Sequence, residues 1–382
     1  MWYSISAEVF AQERNKIMSE YGISQIYPTD RYSNGQVDKL LLAEGIRRDG
    51  NLDYTCGMYD DDMNIIATGS CFGNTLRCMA VSSAHQGEGL MNEIVSHLIS
   101  YQYSRGNMHL FLYTKCDSAK FFGDLGFHEI VRIEGRIVFM ENRRTGFSDY
   151  LSGLQRETAG ALDARSTPTP ASPRTAALVM NANPFTNGHL YLVEKACAEN
   201  DLVHLFMVSE DASLVPFAVR KRLIMEGTAH LPNLIYHESG PYVISSATFP
   251  SYFQKDETAV IESHAYLDLQ VFAKIAAALN IGVRYVGEEP TSLVTGIYNR
   301  IMQEELPKAG VACVVVPRKE APAGSASGGQ AISASTVRQL LKDGRFDELR
   351  DLVPDSTLRY FESPEAAPVL ARIRSEENVI HY

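Results

Sequence analysis

The chain has 382 residues, of which 45% are hydrophobic and 21% are charged, and this length in a globular composition predicts two or three domains. Its net charge is −11 without a long basic block, so we do not expect nucleic acid as a partner, because such binding depends on neutralising phosphates. No run approaches the ~18 apolar residues of a membrane span, and the first residues lack a secretory signal pattern. The six cysteines form no C-x-x-C pair. We therefore expect no membrane, no disulfide framework and no structural zinc, and we favour a cytoplasmic protein with reduced thiols.

The first part of the chain alternates strand and helix patterns. Two apolar strands, Tyr54–Tyr59 and Ile65–Phe72, flank an acidic turn and predict a β-hairpin. A strand at Thr75–Val81 precedes a helix at Leu90–Ser104, where apolar residues recur on one face. Further elements are predicted as a strand at residues 109–114, a short helix at 119–125 and strand material within 129–141.

A glycine-rich turn joins the third of these strands to the long helix. Its residues Gln86, Gly87 and Gly89 lie in the run VSSAHQGEGLM, residues 81–91. Glycines let consecutive amides approach a ligand, and amides at a helix N-terminus form a site for a pyrophosphate. The alternative is an ordinary glycine turn without a ligand.

This turn resembles the acyl-CoA-binding motif of the GCN5-related N-acetyltransferase family, and AKFFGDLGF at residues 119–127 resembles a second motif near the end of that fold. The resemblance covers roughly residues 40–142. It implies an acetyltransferase-like α+β domain that binds a CoA-like arm at Gln86, Gly87 and Gly89. Met91 stands where the family has Gly or Ala, so acetyl-CoA binding and acetyl transfer stay open.

A proline-rich segment at residues 157–174 divides the chain. Pro168, Pro170 and Pro173 remove amide donors, and the small residues around them offer little to bury. We predict a first domain at residues 1–150, a linker at 151–174 and a second domain at 175–382. A Gly/Ser-rich stretch at residues 321–330 is predicted as a mobile loop inside the second domain.

After the linker, strands and helices alternate regularly. Such βαβ order predicts a Rossmann-like parallel sheet covered by helices. The predicted strands are at residues 176–180, 202–208, 234–237, 283–286 and 311–316, and the predicted helices at residues 188–199, 218–230, 265–280, 299–308 and 335–343.

The first of these strands ends in the run NANPFTNGH, which places polar residues where open α/β sheets bind their ligands. Thr186 and His189 are three residues apart and share a face if the helix begins early. A neutral imidazole and helix-terminal amides can both donate to a phosphate oxygen. A histidine at a helix start can also be purely structural. The candidates in this run are Asn181, Asn183, Phe185, Thr186, Gly188 and His189.

A second polar cluster opens a late helix in the run ISASTVR, residues 332–338. Ser333 or Ser335 is either an N-cap or a ligand of a triphosphate oxygen, and Arg338 can pair with a leaving pyrophosphate. Together the T-x-G-H and I-S-x-S-x-x-R runs resemble the H/T-x-G-H nucleotidyltransferase superfamily.

That resemblance implies adenylyl transfer, in which a nucleophile attacks the α-phosphorus of ATP. Thr186 and His189 would stabilise the reacting phosphate, and Arg338 with the two serines would hold the β- and γ-phosphates, bridged by Mg²⁺. Gly287 and Glu288 follow a strand and would contact ribose or adenine, although Glu288 can equally be structural. Two arginines, 220 and 222, are weaker candidates whose alternative is surface helix charge.

An acetyltransferase-like domain followed by T-x-G-H resembles the citrate lyase ligase family over nearly the whole chain. Further matching segments are GPYVISSATFPSYF at residues 240–253, RYVGEEP at 284–290, YN at 298–299 and LP at 306–307. The resemblance implies an ATP- and acetate-dependent ligase that acetylates the prosthetic-group thiol of the citrate lyase acyl carrier subunit. Acetyl-adenylate would be the intermediate, and AMP and pyrophosphate the by-products.

Three other functions stay open from the sequence. One is an adenylyltransferase with a phosphopantetheine- or nucleotide-type acceptor. A second is a regulatory protein that binds a nucleotide without turnover. A third is an active acetyltransferase in the first domain; if the chain is a ligase, that domain would instead receive the prosthetic-group arm.

Overall fold

The computed structural model describes residues 21–165, 170–209, 213–243, 257–288, 293–322, 328–329 and 331–376. The chain forms two compact units, one up to Gly146 and one from Phe147, and residues 257–263 belong to the first. None of the helices in the described ranges is long and apolar enough to cross a membrane. The predicted domain limits stay a prediction, and residues 166–169 of the predicted linker lie outside the described residues.

The first unit alternates strands and helices in chain order. The hairpin, the third strand and the long helix have the bounds that the sequence predicted, whereas the short first strand and first helix were not predicted. The elements are β1 (Ile23–Gln25), α1 (Arg31–Ala43), β2 (Tyr54–Tyr59), β3 (Ile65–Phe72), β4 (Thr75–Val81), α2 (Leu90–Ser104), β5 (Phe111–Thr114), α3 (Ala119–Asp124), β6 (His128–Ile133) and β7 (Ile137–Glu141).

Within the described residues these strands form one seven-stranded sheet in the order β1-β2-β3-β4-β5-β7-β6. All neighbours are antiparallel except β4 and β5, which are parallel and pair only at Thr75–Phe111 and Leu76–Leu112. Beyond these pairs the two strands are no longer hydrogen-bonded to each other. Helix α2 buries Leu90, Ile94, Val95 and Leu98 in the core of this unit. This mixed sheet confirms the acetyltransferase-like α+β fold predicted for this part of the chain.

The second unit begins with a helix and continues as strands alternating with helices, one of which has its first residues, 257–263, in the first unit. All five predicted strands and the helices between them are present within a few residues of their predicted limits, apart from one helix that begins at 257 and another that begins at 293. The elements are α4 (Gly146–Asp163), β8 (Thr175–Met180), α5 (Asn187–Glu199), β9 (Leu202–Met207), α6 (Phe217–Gly227), β10 (Leu234–Glu238), α7 (Glu257–Leu279), β11 (Val283–Gly287), α8 (Leu293–Glu305), β12 (Ala312–Val316), α9 (Ala334–Asp343), α10 (Asp355–Glu362) and α11 (Ala367–Ser375).

The described strands of this unit form a parallel sheet in the order β10-β9-β8-β11-β12. The chain runs outwards from β8 to β10 and then returns to the other side of β8, so the winding direction reverses between β8 and β11. Ligands of open α/β sheets bind at such a reversal, outside the carboxyl ends of the strands. β8 and β11 pair only at Ala176–Val283 and Ala177–Arg284, which leaves their carboxyl ends apart. The predicted Rossmann-like sheet is confirmed.

Helix α4 occupies part of the segment that was predicted as a linker. Its residues pack on the second unit, where the Tyr150 ring lies 4.8 Å from the Tyr242 ring and Glu157 Oε2 lies 2.7 Å from His237 Nδ1. The three prolines that suggested a linker all come after the helix ends at Asp163. Residues 151–163 are therefore helical, and Leu154 among them is buried.

Two short helices near the C-terminal end, α10 and α11, were not predicted. They contribute Leu358, Phe361, Val369 and Ile373 to the same apolar core that packs against β8 and α5. Each helix is short, and its burial in this core supplies the stability that its length does not.

Candidate active site

The T-x-G-H run forms a capped turn at the carboxyl end of β8. β8 is buried and has a strand on each side, which explains its continuous apolar sequence. Thr186 is the N-cap of α5, and its Oγ1 accepts from the His189 N–H at 3.3 Å. The helix therefore begins early enough for Thr186 and His189 to share a face, as the sequence predicted.

The His189 ring is oriented by the same turn. Its Nδ1 accepts from the Thr186 N–H at 3.1 Å and lies 2.9 Å from Thr186 Oγ1. Because Nδ1 acts as an acceptor, the neutral imidazole carries its proton on Nε2. Burial, followed by the charges of Arg318 and Arg338, lowers the pKa of His189 to about 4. The ring is therefore a neutral Nε2–H donor near neutral pH.

Phe185 supports this imidazole from the core. Its side chain is fully buried, and its ring stacks on His189 with centroids 6.0 Å apart and planes 13° apart. Its carbonyl oxygen accepts from Thr357 Oγ1 at 2.9 Å. The structure thus places the Phe185 ring behind the histidine, and its predicted contact with ATP stays a prediction.

The second polar run lies directly against the first. A Cβ built on Gly188 would approach the carbonyl oxygen of Ile332 to 3.2 Å, so a larger residue would press the two turns apart. Arg338 Nη1 donates to the carbonyl oxygen of Asn183 at 2.6 Å. Two motifs that are distant in the sequence therefore meet at the carboxyl end of β8.

Ser333 is the N-cap of α9. Its Oγ accepts from the Thr336 N–H at 3.0 Å and lies 2.9 Å from Ser335 Oγ. The structural alternative for this serine is therefore realised, and a capped helix N-terminus also directs its amides towards an anion. The N-termini of α5 and α9 lie side by side through Gly188 and Ile332. Their dipoles make this rim of the sheet favourable for negative charge.

Arg338 is almost entirely buried, with 3% of its surface exposed, and burial lowers its pKa to about 10. Its contact with Asn183 ties helix α9 to the turn that precedes Thr186. Arg338 thus contacts the backbone of the first motif, and its predicted pairing with pyrophosphate stays a prediction.

Asn181 and Asn183 line the turn between β8 and α5. Asn181 Nδ2 donates to Ser213 Oγ at 2.9 Å, and Asn183 Oδ1 accepts from the Val215 N–H at 3.0 Å. The amide Nδ2 of Asn183 is buried and has no hydrogen-bond partner within the described residues. A buried amide donor without a partner is costly and suits a substrate acceptor. These contacts leave the predicted role of both asparagines in ATP binding as a prediction.

Gly287 and Glu288 lie where β11 ends, on the other side of the winding reversal. Glu288 N donates to the Val316 carbonyl oxygen at 2.8 Å, and Asn299 Nδ2 donates to the Gly287 carbonyl oxygen at 3.1 Å. The Glu288 side chain is exposed. Two segments that carried the family resemblance therefore contact each other, while residues 244–256 and 289–292 lie outside the described residues.

Arg318 and Lys319 were not selected from the sequence. Arg318 Nε donates to the Glu288 carbonyl oxygen at 3.0 Å, and Lys319 Nζ lies 5.8 Å from the centre of the Tyr191 ring in α5. The signal was a basic pair two residues after an apolar strand, at the carboxyl edge of a predicted parallel sheet. Such a position is where a cation meets a phosphate.

The two weaker arginine candidates have structural partners. Arg220 is buried, and its guanidinium donates to the carbonyl oxygens of Asn181, Val208 and Val215 at 2.8–2.9 Å. It therefore fixes the loops after β8 and β9, and it is not a surface charge. Arg222 pairs with Glu365 at the surface, in agreement with its structural alternative.

Metal-binding residues are not clustered in the part of the chain that the structure describes. No group of three or more His, Cys, Asp or Glu side chains is arranged there to hold an ion.

The first unit has its own cavity, of about 600 Å³, where β4 and β5 separate. The predicted residues Gln86, Gly87 and Gly89 line it, together with Met91 and Lys115. Gly87 and Gly89 have φ values of +89° and +83°, and a Cβ built on either glycine would meet no atom within 4 Å, so the backbone faces open space. The glycine turn thus borders a cavity, and the binding of a CoA-like arm stays a prediction.

Known proteins resemble this chain over most of its length. Residues 175–361 match the family model described as the citrate lyase ligase C-terminal domain. The citrate pro-3S-lyase ligase of Escherichia coli K12 is 36% identical over 311 residues, which are 79% of this chain and 83% of the relative. The enzyme of the same name from Haemophilus influenzae is 33% identical over 340 residues, 87% of this chain and 96% of the relative.

The chain belongs to the citrate lyase ligase family. Membership makes it an ATP-dependent ligase, and the alternative of an adenylyltransferase with another acceptor is not favoured. Among solved structures, an acetyltransferase of the GNAT family from Staphylococcus aureus MU50 is 15% identical and covers 32% of this chain and 100% of its own, with a TM-score of 0.27. The fold of the first unit rests on its strand order and not on this similarity.

Proposed function

We propose that this ligase acetylates the prosthetic-group thiol of the acyl carrier subunit of citrate lyase, with ATP and acetate as substrates. The observation that carries the proposal is the meeting of the T-x-G-H and I-S-x-S-x-x-R turns at the winding reversal of a parallel sheet. Two helix N-termini and a neutral imidazole at one rim suit a triphosphate whose α-phosphorus is attacked. The relatives that match most of this chain are named citrate pro-3S-lyase ligases, which supports this proposal.

The first step joins acetate to AMP. A carboxylate oxygen of acetate bonds to the α-phosphorus, the bond from that phosphorus to the bridging oxygen breaks, and pyrophosphate leaves with the electron pair. Positioning and charge neutralisation carry such phosphoryl chemistry. His189 Nε2–H and the amides at the start of α5 donate to the non-bridging oxygens, where negative charge is shared in the transition state.

Burial keeps His189 neutral for this role. Because Thr186 holds Nδ1 as an acceptor, the donor proton stays on Nε2 without a titration step near neutral pH. Ser333, Ser335, Arg338 and the N-terminus of α9 hold the β- and γ-phosphates, and Arg338 also ties the two turns together. Mg²⁺ would arrive on the phosphates and reduce their charge. Gly287 and Glu288 border the ribose and adenine.

The second step transfers the acetyl group. The thiolate sulfur of the carrier's prosthetic group bonds to the carbonyl carbon of acetyl-adenylate, the bond from that carbon to the phosphate oxygen breaks, and AMP leaves with the electron pair. A mixed anhydride is a reactive acyl donor, so the protein needs only to admit the thiolate and exclude water.

We propose that the cavity of the first unit receives the CoA-derived arm of the carrier. The positive-φ glycines at its rim, with the N-terminus of α2, offer backbone amides to a pyrophosphate or phosphodiester group, and Lys115 offers a cation. Met91 lines the cavity at the position where the acetyltransferase pattern has Gly or Ala. This arm-binding role needs no acetyl-CoA turnover.

We further propose that the reaction takes place in the cytoplasm. All six cysteines are free thiols, as in proteins from reducing compartments. The acidic net charge does not favour a nucleic-acid partner.

The direct test supplies the chain with ATP, Mg²⁺, acetate and the thiol form of the carrier subunit. We expect one acetyl thioester on the carrier by mass spectrometry, with AMP and pyrophosphate formed in equal amounts. A product in which AMP is joined to a phosphorylated acceptor, without any need for acetate, would replace this function by adenylyl transfer.

A further inference from the structure

The segment between β12 and α9 is the third segment beside the site, after the T-x-G-H and I-S-x-S-x-x-R turns. Arg318 follows β12 by two residues, and its Nε donates to the Glu288 carbonyl oxygen at 3.0 Å. Glu288 N in turn donates to the Val316 carbonyl oxygen at 2.8 Å. These two bonds fix the guanidinium at the carboxyl end of β11, on the far side of the winding reversal from the T-x-G-H turn.

The same segment is also tied to the helix that carries the second motif. Ile332 N donates to the Lys319 carbonyl oxygen at 2.9 Å, and Glu320 and Ala331 form an antiparallel bridge. The carbonyl oxygen of Ile332 is the atom that faces Gly188 at 3.2 Å. The segment of Arg318 is therefore bonded to the end of β11 and to the start of α9, and the start of α9 lies against the turn that carries His189.

Arg318 and Arg338 are the two cations whose charge lowers the pKa of His189, and they differ in access. Arg338 is buried and donates to the backbone of Asn183, whereas Arg318 is only partly buried. A phosphate bound between the Arg318 guanidinium and the neutral His189 imidazole would interact favourably with both, because one supplies a positive charge and the other an N–H donor. The guanidinium fork matches two phosphate oxygens, which a point charge does not.

We propose that Arg318 is a catalytic residue of this ligase, in which its guanidinium contacts a non-bridging oxygen of the α-phosphate opposite the His189 imidazole. The inference rests on the proposed function, because it names the cation that acts on the phosphorus attacked by acetate. Arg318 neutralises the charge that the phosphate gains as the carboxylate oxygen approaches and pyrophosphate departs.

The test compares Arg318→Ala and Arg318→Lys with Arg300→Ala, which removes an exposed arginine of α8 that pairs with Glu304. In acetate-dependent exchange of labelled pyrophosphate into ATP, we expect kcat for Arg318→Ala to fall by about 10²–10³. We expect the lysine variant to recover part of the loss and the Arg300 variant to match the parent chain. The pKa of His189, followed by NMR, should rise in Arg318→Ala because one nearby charge is removed.

Two results would overturn the assignment. One is a kcat within about threefold of the parent chain in Arg318→Ala. The other is a rise in KM for acetate alone with kcat unchanged, which would place the guanidinium on the carboxylate and not on the phosphate. A thermal-unfolding curve that matches the parent chain excludes loss of fold as the cause.

Calorimetric measurement of ATP affinity distinguishes a failure of this inference from a failure of the proposed function. If the parent chain shows no acetate-dependent exchange, the ligase proposal fails. In that case a loss of ATP affinity in Arg318→Ala, with Arg300→Ala unchanged, still supports a phosphate contact, and equal ATP affinity in all three chains overturns it.

Discussion

In both units two parallel strands of the sheet separate and leave an opening, but the residues beside the two openings differ. In each, two parallel strands pair only at their amino ends and then separate, β4 from β5 in the first unit and β8 from β11 in the second. A helix begins beside each opening. The first unit places a glycine N-cap there with no side-chain cap, whereas the second places Thr186 with His189 in a capping box.

This difference distinguishes a site suited to binding a phosphate group from a site suited to a reaction at a phosphate group. The glycine turn of the first unit presents backbone amides with open space before them, which suits a phosphate group that is bound and not changed. The turn of the second unit adds an oriented imidazole, a second helix N-terminus and two arginines. Charge that develops during a reaction needs such fixed donors, so we expect the chemistry at the second opening.

Replacing His189 should have the largest effect on the rate of pyrophosphate exchange. A small effect would contradict the different roles given to the two openings. We expect His189→Ala to lower acetate-dependent pyrophosphate exchange by about 10²–10³, because one oriented donor to the reacting phosphate is lost. The matched control is His230→Ala, which removes an exposed histidine that contacts Glu194. Equal exchange rates in the two variants would contradict a catalytic role for the second opening.

Replacing a glycine of the first opening should act on the carrier alone. Gly89→Ala places a methyl group at φ +83° beside the cavity, and Gly106→Ala places one at φ +85°, away from the cavity lining and equally unhindered. The strain of about 1–2 kcal/mol is common to both, so only Gly89→Ala should raise KM for the carrier, by about tenfold. Pyrophosphate exchange should be unchanged in both. A carrier KM that is the same in both variants would argue against arm binding.

The dependence of stability on pH should report the lowered pKa of His189 in the second opening. The ordinary pKa of 6.5 for histidine falls to about 4 for His189, first through burial and then through Arg318 and Arg338. The unfolded chain therefore binds this proton below about pH 6.5 while the folded chain stays neutral, so stability falls as pH decreases through this window and the loss stops growing below about 4. Nitrogen NMR should show a neutral Nε2–H ring at pH 5.5, and a ring that is half protonated near 6.5 would contradict this.

The smallest expected effect concerns helix α4, which packs beside the edge strand β10. Glu157 accepts from His237 Nδ1 at 2.7 Å, and His237 Nε2 lies 2.9 Å from His204 Nδ1 on the neighbouring strand β9. Glu157→Gln should reduce the free energy of unfolding by about 1–2 kcal/mol, because a charge-assisted hydrogen bond is weakened. Exchange and carrier transfer should keep their parent rates.

Chemical denaturation, with Glu199→Gln as the control, measures this change. Glu199 at the end of α5 pairs with Lys195 at the surface and accepts from Tyr285 Oη at 2.7 Å in a half-buried contact, so its variant shows what the loss of a carboxylate hydrogen bond costs away from α4. A fall in activity for the Glu157 variant without a fall in stability would mean that α4 has a part in catalysis.

Much of this arrangement could be predicted from the sequence because it depends on local signals. Alternating apolar residues predicted the hairpin at Tyr54–Tyr59 and Ile65–Phe72, and the continuous apolar run before Asn181 predicted the central strand. The T-x-G-H spacing predicted the shared face of Thr186 and His189 before any contact was known. Each of these depends on residues within a few positions of one another.

The rest depended on partners that are distant along the chain. Arg318 follows an apolar strand by two residues, which is a weak sequence signal, and the bonds with Glu288 and Ile332 that hold its segment could not be predicted from any spacing in the sequence. Arg220 stands in a helix sequence that resembles a charged surface, yet it is buried and donates to three backbone carbonyl oxygens. Helix α4 was missed because the prolines that follow it suggested a linker for the whole segment.

The most direct measurement is pyrophosphate exchange into ATP without carrier, made in parallel on the parent chain, His189→Ala and Gly89→Ala. The account predicts acetate-dependent exchange in the parent chain and in the Gly89 variant and its near absence in the His189 variant. Exchange that survives the loss of His189 but disappears with Gly89→Ala would contradict the assignment of the chemistry to the second unit.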